Sequence, residues 1–160
     1  MSTIETELVR NWVEQAVLGL NLCPFAGEHW HAGRVRLTVS PATSEHELLE
    51  DLRSEITRLD TADPSLLETT LLIVPNLLQD FEDYNQFLDP VDQLLEQHGW
   101  TGRFQIASFH PNYQFAEKGE GKEGGKTAVF VFVCFRSSAT LSRGRSISSQ
   151  RHHCWHRGAE

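Results

Sequence analysis

From Thr3 to Leu20 the apolar residues Ile4, Leu8, Val9, Trp12, Val13, Ala16, Val17 and Leu20 recur with a helical period, which predicts a helix with one buried face. Thr3 is placed to cap it, Glu5 and Glu7 suit its positive end, and Gly19 or Asn21 can stop it. Pro24 disfavours helical geometry at Cys23, so the helix is over by then. In RVRLTVS, residues 34–40, Val35, Leu37 and Val39 alternate with Arg34, Arg36 and Thr38, the pattern of a strand with one buried face. Residues 44–59 carry Leu48, Leu49, Leu52, Ile56 and Leu59 as a second helical stripe, opened by the capping-box pair Ser44 and Glu47. Asp63-Pro64 turns the chain, and TTLLIV at 69–74 reads as a strand buried on both faces.

Asp89-Pro90 has the form of an N-cap followed by proline at the first helical position. It therefore predicts two helices, roughly 78–87 and 90–98, with Gly99 as the stop. RFQIASF at 103–109 is a third strand. The order, an N-terminal helix and then β-α-β-α-β, predicts an α/β domain with helices layered on a small parallel sheet. A ferredoxin-like α+β arrangement with antiparallel pairs is the alternative. Each strand runs into a proline, Pro41, Pro75 or Pro111. Parallel strands would align these turns on one edge, where open α/β sheets bind ligands, and that edge would display Ser40, Asn76, His110 and Asn112.

The pattern changes after Ala116. Residues 1–116 read as the α/β domain and 117–160 as an atypical tail. EKGEGKEGGK at 117–126 has linker composition, TAVFVFVCF at 127–135 has strand character, and the remainder is rich in Ser, Arg and His without a periodic stripe.

Composition narrows the class. The chain has 160 residues, 39% hydrophobic and 22% charged, as expected of one soluble globular domain. The net charge is −8, and the first 100 residues hold five Arg and no Lys. A basic face for nucleic acid or an anionic membrane is thereby excluded for that part, and only the basic tail could serve nucleic acid. No apolar run is long enough to span a bilayer, and MSTIETELVR lacks the basic-then-apolar opening of a secretory leader, so the expected compartment is the cytoplasm. Cys23, Cys134 and Cys154 follow no metal spacing and read as free thiols.

The candidate chemistry rests on two turns. Cys23 and His110 are the residues we assign as a catalytic pair, with Asn112, Tyr113 and Asn76 as ligand contacts. A nearby imidazolium would lower the thiol pKa, whereas a preceding helix C-terminus would raise it. Histidine at a strand end can act as general base near neutral pH. Asp80, Asp83 and Tyr84 share a helix face that could offer oxygens to Mg²⁺ or Ca²⁺, but a solvated face is the plainer reading. Consecutive donors, as in Glu28-His29-Trp30-His31 or His152-His153-Cys154-Trp155-His156, cannot easily surround one ion, so no metal is assigned. The GKT at 125–127 is followed by strand character rather than a helix and is not a phosphate loop.

At GLNLCPFA, TTLLIVP, DFEDYNQFLD and QIASFHPNYQFA the chain resembles a bacterial family catalogued as domain of unknown function 1415, over residues of about 4–116. The resemblance implies no particular reaction or cofactor. Family members continue with acidic residues, an Asn/Thr/Arg/Ser-Pro-Tyr-Pro segment and a Leu-rich helix, none of which follows Ala116 here. A shifted reading frame or truncation is expected ahead of a genuine tail. The functional expectation is an α/β protein with a small-molecule or thiol/histidine-dependent site at the strand ends. The alternative is a non-catalytic module that presents this edge to a protein partner.

Overall fold

The computed structural model describes residues 4–21 and 26–110, and the backbone of 130–136. Thr3 therefore lies outside the described residues. Helix α1 (Ile4–Trp12) begins as the periodicity predicts, but continues as a π-helical turn over Val13–Leu18. In that turn Gly19 N–H reaches back to Glu14 O at 3.1 Å. Gly19 keeps helical dihedrals, and the segment ends at Asn21, whose φ of 51° is the left-handed stop. A methyl group at position 19 would press into the Gln15 carbonyl oxygen. A short helix α2 (Ala26–His31), which the hydrophobic pattern did not predict, leads into β1 (Val35–Val39).

Helix α3 (Glu45–Thr61) follows, and both bonds of the Ser44–Glu47 capping box are present. Strand β2 (Thr69–Val74) follows the Asp63 turn, where Asp63 Oδ1 accepts from Ser65 N–H at 2.9 Å. The two helices expected around Asp89-Pro90 are one helix, α4 (Phe81–Gln97). Asp80 supplies the N-cap by accepting from Glu82 N–H, and Pro90 lies inside the helix. The apolar face of Tyr84, Phe87 and Val91 runs unbroken through the proline, and this burial outweighs the single backbone bond that proline removes. Gly99, at φ 65°, stops the helix as its position predicts. Strand β3 (Phe104–Phe109) and strand β4 (Phe130–Arg136) complete the sheet.

The fold class is α/β. Strand order is β1-β2-β4-β3, with β1 and β2 parallel and β4 antiparallel to both β2 and β3. The first three strands therefore share one direction, as expected. The third reaches the sheet through β4 rather than by pairing with β2. Register aligns Ile73, Val131 and Phe109 in one row and Leu71, Val133 and Ala107 in another.

Helices cover both faces. Val9 and Val13 pack on Leu71 and Ile73 with Val35, Leu37 and Val39 on one face. On the other, Leu48, Leu52, Ile56 and Leu59 of α3 and Tyr84, Phe87 and Val91 of α4 enclose Leu72, Val74 and Phe104. The polar side of β1 is only partly open to solvent. It lies against α3, which answers with acids: Arg36 Nε donates to Glu55 at 3.1 Å and Ser40 Oγ donates to Asp51 at 2.5 Å. Among the described residues no helix is long and apolar enough to cross a membrane.

Candidate functional site

Because β1, β2 and β3 run the same way, Ser40, the Pro75–Asp80 turn and His110 stand on one edge of the sheet. Phe130, which opens β4, pairs with Val74, which closes β2, so β4 starts at this edge too.

His110 is 6% exposed. Its Nε2 lies 3.0 Å from Leu78 O. A carbonyl can only accept, so Nε2 carries the proton in the neutral ring and the basic lone pair is on Nδ1. Leu78 holds that carbonyl in place through an unusual backbone. Its φ is +58° while its side chain is buried in the core, a left-handed conformation that costs a non-glycine residue about 1–2 kcal/mol. The imidazole centroid is 5.0 Å from that of Tyr84 and 5.6 Å from that of Phe81. Tyr84 is itself buried, and its hydroxyl shares a 2.7 Å hydrogen bond with Ser108 Oγ. His110 thus packs ring to ring with Tyr84 and Phe81 where β3 ends, while its hydrogen bond runs to Leu78 and that of Tyr84 runs to Ser108.

Ser40 forms a second polar point at the end of β1. It is 1% exposed, accepts from Ala42 N–H at 3.2 Å and donates to Asp51. A shallow cleft of about 580 Å³, lined by Pro41, Ala42, His46, Glu50 and Asp51 among others, opens beside it. Glu47 borders the same cleft. Its carboxyl is held below the ordinary glutamate range, chiefly by the backbone N–H of Thr43, then by the Thr43 hydroxyl and Ser44.

Of the sequence-assigned residues, His110 is buried at this edge against Leu78, Tyr84 and Phe81. Asn76 is exposed in the turn that also supplies Leu78. Cys23, Asn112 and Tyr113 lie outside the described residues. The acidic face on α4 has a different use from cation binding: Asp80 caps the helix, Asp83 is exposed and Tyr84 turns inward to His110. His29 pairs with Glu68 at 2.5 Å instead of grouping with its sequence neighbours. Among the described residues no three His, Cys, Asp or Glu are placed to hold a metal ion. Sequence reading missed Tyr84 as the ring neighbour of His110, Ser108 as the partner of Tyr84, and Asp51 as the partner of Ser40. The available signal was parity: Ser108 falls in step with the inward-facing Phe104 and Ile106 on β3, and Asp51 and Glu55 are one helical turn apart beside an apolar stripe.

A family model described as "Protein of unknown function (DUF1415)" matches residues 4–128, continuing past Ala116 into the Gly/Lys/Glu stretch. No curated protein and no solved structure matches the chain.

Proposed function

We propose, from the premise that the chain belongs to the DUF1415 family, that it handles a small molecule at the C-terminal edge of β1, β2 and β3. His110 is the acid–base or ligand-contacting group of that site. The observation that carries this reading is the way His110 is held. Burial alone requires an acceptor for one ring N–H, and here that acceptor is the carbonyl of Leu78, a residue kept at φ +58° beside the strand end. Fixing the proton on Nε2 makes Nδ1 the basic atom, which is how a general base or hydrogen-bond acceptor is prepared. The location agrees with the rule that open α/β sheets bind ligands beyond their strand C-termini. Asn76, exposed on this edge, is assigned as a ligand contact; the sequence-based assignments of Asn112 and Tyr113 as further contacts, and of Cys23 as a thiol acting with His110, are part of the same proposal.

A second reading, a docking edge for a protein partner, is favoured by Phe81, which is 40% exposed while it touches His110. Thermal-shift titration of the full chain separates the two. Small carboxylates, phosphates, amines and nucleosides are compared on wild type and His110→Gln. The site reading expects at least one class to raise Tm in wild type and not in the variant. Alkylation of Cys23 by iodoacetamide is followed between about pH 6 and 9, with Cys23→Ala as the control. A rate profile unchanged by His110→Gln removes the thiol from the mechanism. If no compound class gives a His110-dependent shift, the docking edge is the better account.

A further inference from the structure

His110 is 6% exposed, which leaves a ligand little access to its ring in this structure. Among the described residues the groups that cover it are the Leu78 carbonyl, 3.0 Å from Nε2, and the rings of Phe81 and Tyr84. Tyr84 is fixed within α4, buried and bonded to Ser108. The Leu78 carbonyl belongs instead to the turn 75–80, which joins the last residue of β2 to the first of α4.

That turn is built to move as a body. Its ends are fixed: Val74 is buried in the sheet, and α4 carries its own cap, in which Asp80 Oδ1 accepts from Glu82 N–H at 2.8 Å. Within the turn Gln79 Nε2 donates to the Pro75 carbonyl at 3.1 Å, a bond that closes the turn on itself. Asn76, Gln79 and Asp80 are exposed. The turn is tied down by Leu77, which packs at the border of the core, and by Leu78, whose side chain enters it. Leu78 is also where the backbone is strained, at φ +58°. The bond from His110 therefore holds a carbonyl in a conformation that leucine backbone by itself disfavours. Without that bond the buried carbonyl has lost its donor while the strain persists. Rotation of Leu78 to the right-handed or extended region relieves both at once by turning the carbonyl to water.

We infer that the 75–80 turn is a lid over His110, latched by the bond from His110 Nε2 to the Leu78 carbonyl and hinged at Leu78. The inference rests on the reading that His110 is the group this edge presents to a ligand, and opening is how so buried a residue is reached. In the open state Leu78 leaves the left-handed region, its carbonyl leaves Nε2, and the turn carrying Asn76 swings away from the imidazole. The packing of His110 on Tyr84 stays in place.

The test is ¹⁵N relaxation dispersion on the full chain. It reads the turn directly and needs no ligand, so a failed ligand search and a failed lid are separate results. His110→Phe keeps a ring against Tyr84 and Phe81 but loses the donor, whereas His110→Gln keeps a donor. The open-to-closed ratio should rise about tenfold in His110→Phe, seen as microsecond-to-millisecond exchange confined to residues 76–80 and the first turn of α4. His110→Gln should stay near wild type. Unchanged dispersion in His110→Phe overturns the lid, as does exchange spread over the whole sheet or His110→Gln behaving like His110→Phe. Wild type supplies a second reading that does not depend on a variant folding. Long-range ¹H–¹⁵N spectra of the His110 ring should show the proton on Nε2. A ring that carries it on Nδ1 alone cannot donate to Leu78 and overturns the latch.

Discussion

The carbonyl of Leu78 accepts a 3.0 Å hydrogen bond from Nε2 of His110, a residue 32 positions further along the chain. Leu78 makes this contact from left-handed backbone, with its side chain 6% exposed in the core. Two demands meet at one residue, since the backbone favours glycine and the core requires leucine. Leu78→Ala removes the side chain and keeps the strain, whereas Leu78→Gly removes both. At an ordinary site glycine is about 0.5–1 kcal/mol worse than alanine. Here the order should reverse, with Leu78→Ala costing about 2–4 kcal/mol and Leu78→Gly about 1 kcal/mol less. Urea denaturation of both variants checks the order, and a glycine variant weaker than the alanine one would show the strain to be absent.

The Ser40–Asp51 pair should behave as a unit. Ser40→Ala leaves Ala42 N–H without its acceptor and the Asp51 carboxylate without its donor, at a cost of about 1–3 kcal/mol. Asp51→Asn keeps an acceptor for the hydroxyl and should cost less. If the two changes act through one bond, the double variant will cost less than the sum of the singles, and strict additivity of denaturation free energies would deny the coupling.

Acid should weaken the start of α3. Glu47 has a folded-state pKa below its ordinary value because Thr43 and Ser44 donate to the charged form. A depressed carboxyl contributes stability that is present above the unfolded-state pKa and is lost as pH falls through the folded one. The loss should therefore occur on the acid side of the ordinary glutamate range, and little change is expected between about pH 6 and 8. Glu47→Gln should flatten the acid limb of Tm against pH. An NMR titration of the Glu47 side chain at or above the ordinary range would contradict the assignment.

Pro90 should be dispensable to α4. It sits inside Phe81–Gln97 and cannot donate to the carbonyl one turn back. Pro90→Ala is expected to stabilise the protein by about 1–3 kcal/mol, read as a rise in Tm. A fall in Tm would mean that the ring packs or shapes the helix in a way alanine cannot replace.

Much of this fold could be read from the chain. Leu48, Leu52, Ile56 and Leu59 recur at helical spacing, Ser44 and Glu47 sit three apart, and Thr69–Val74 is an unbroken run of strand formers. Such signals are local, because each residue reports on a neighbour within one turn or one pleat. The errors also have local causes. Asp89-Pro90 looks like a helix start, and only the continuous packing of Tyr84, Phe87 and Val91 against the sheet makes one helix of two segments. Arg36 and Ser40 look unpartnered in the sequence until α3 brings Glu55 and Asp51 to them.

The sequence by itself determined the α/β class, the common direction of the first three strands, and the position of His110 at a strand end, since these follow from periodicity and turn residues. The tertiary structure alone decided that β4 lies between β2 and β3, that Tyr84 packs on His110 and bonds Ser108, and that Arg36 reaches Glu55. Those pairings join residues far apart in the chain. No local period encodes them, and they arise only when the packing of both sheet faces brings the partners within hydrogen-bonding or stacking distance.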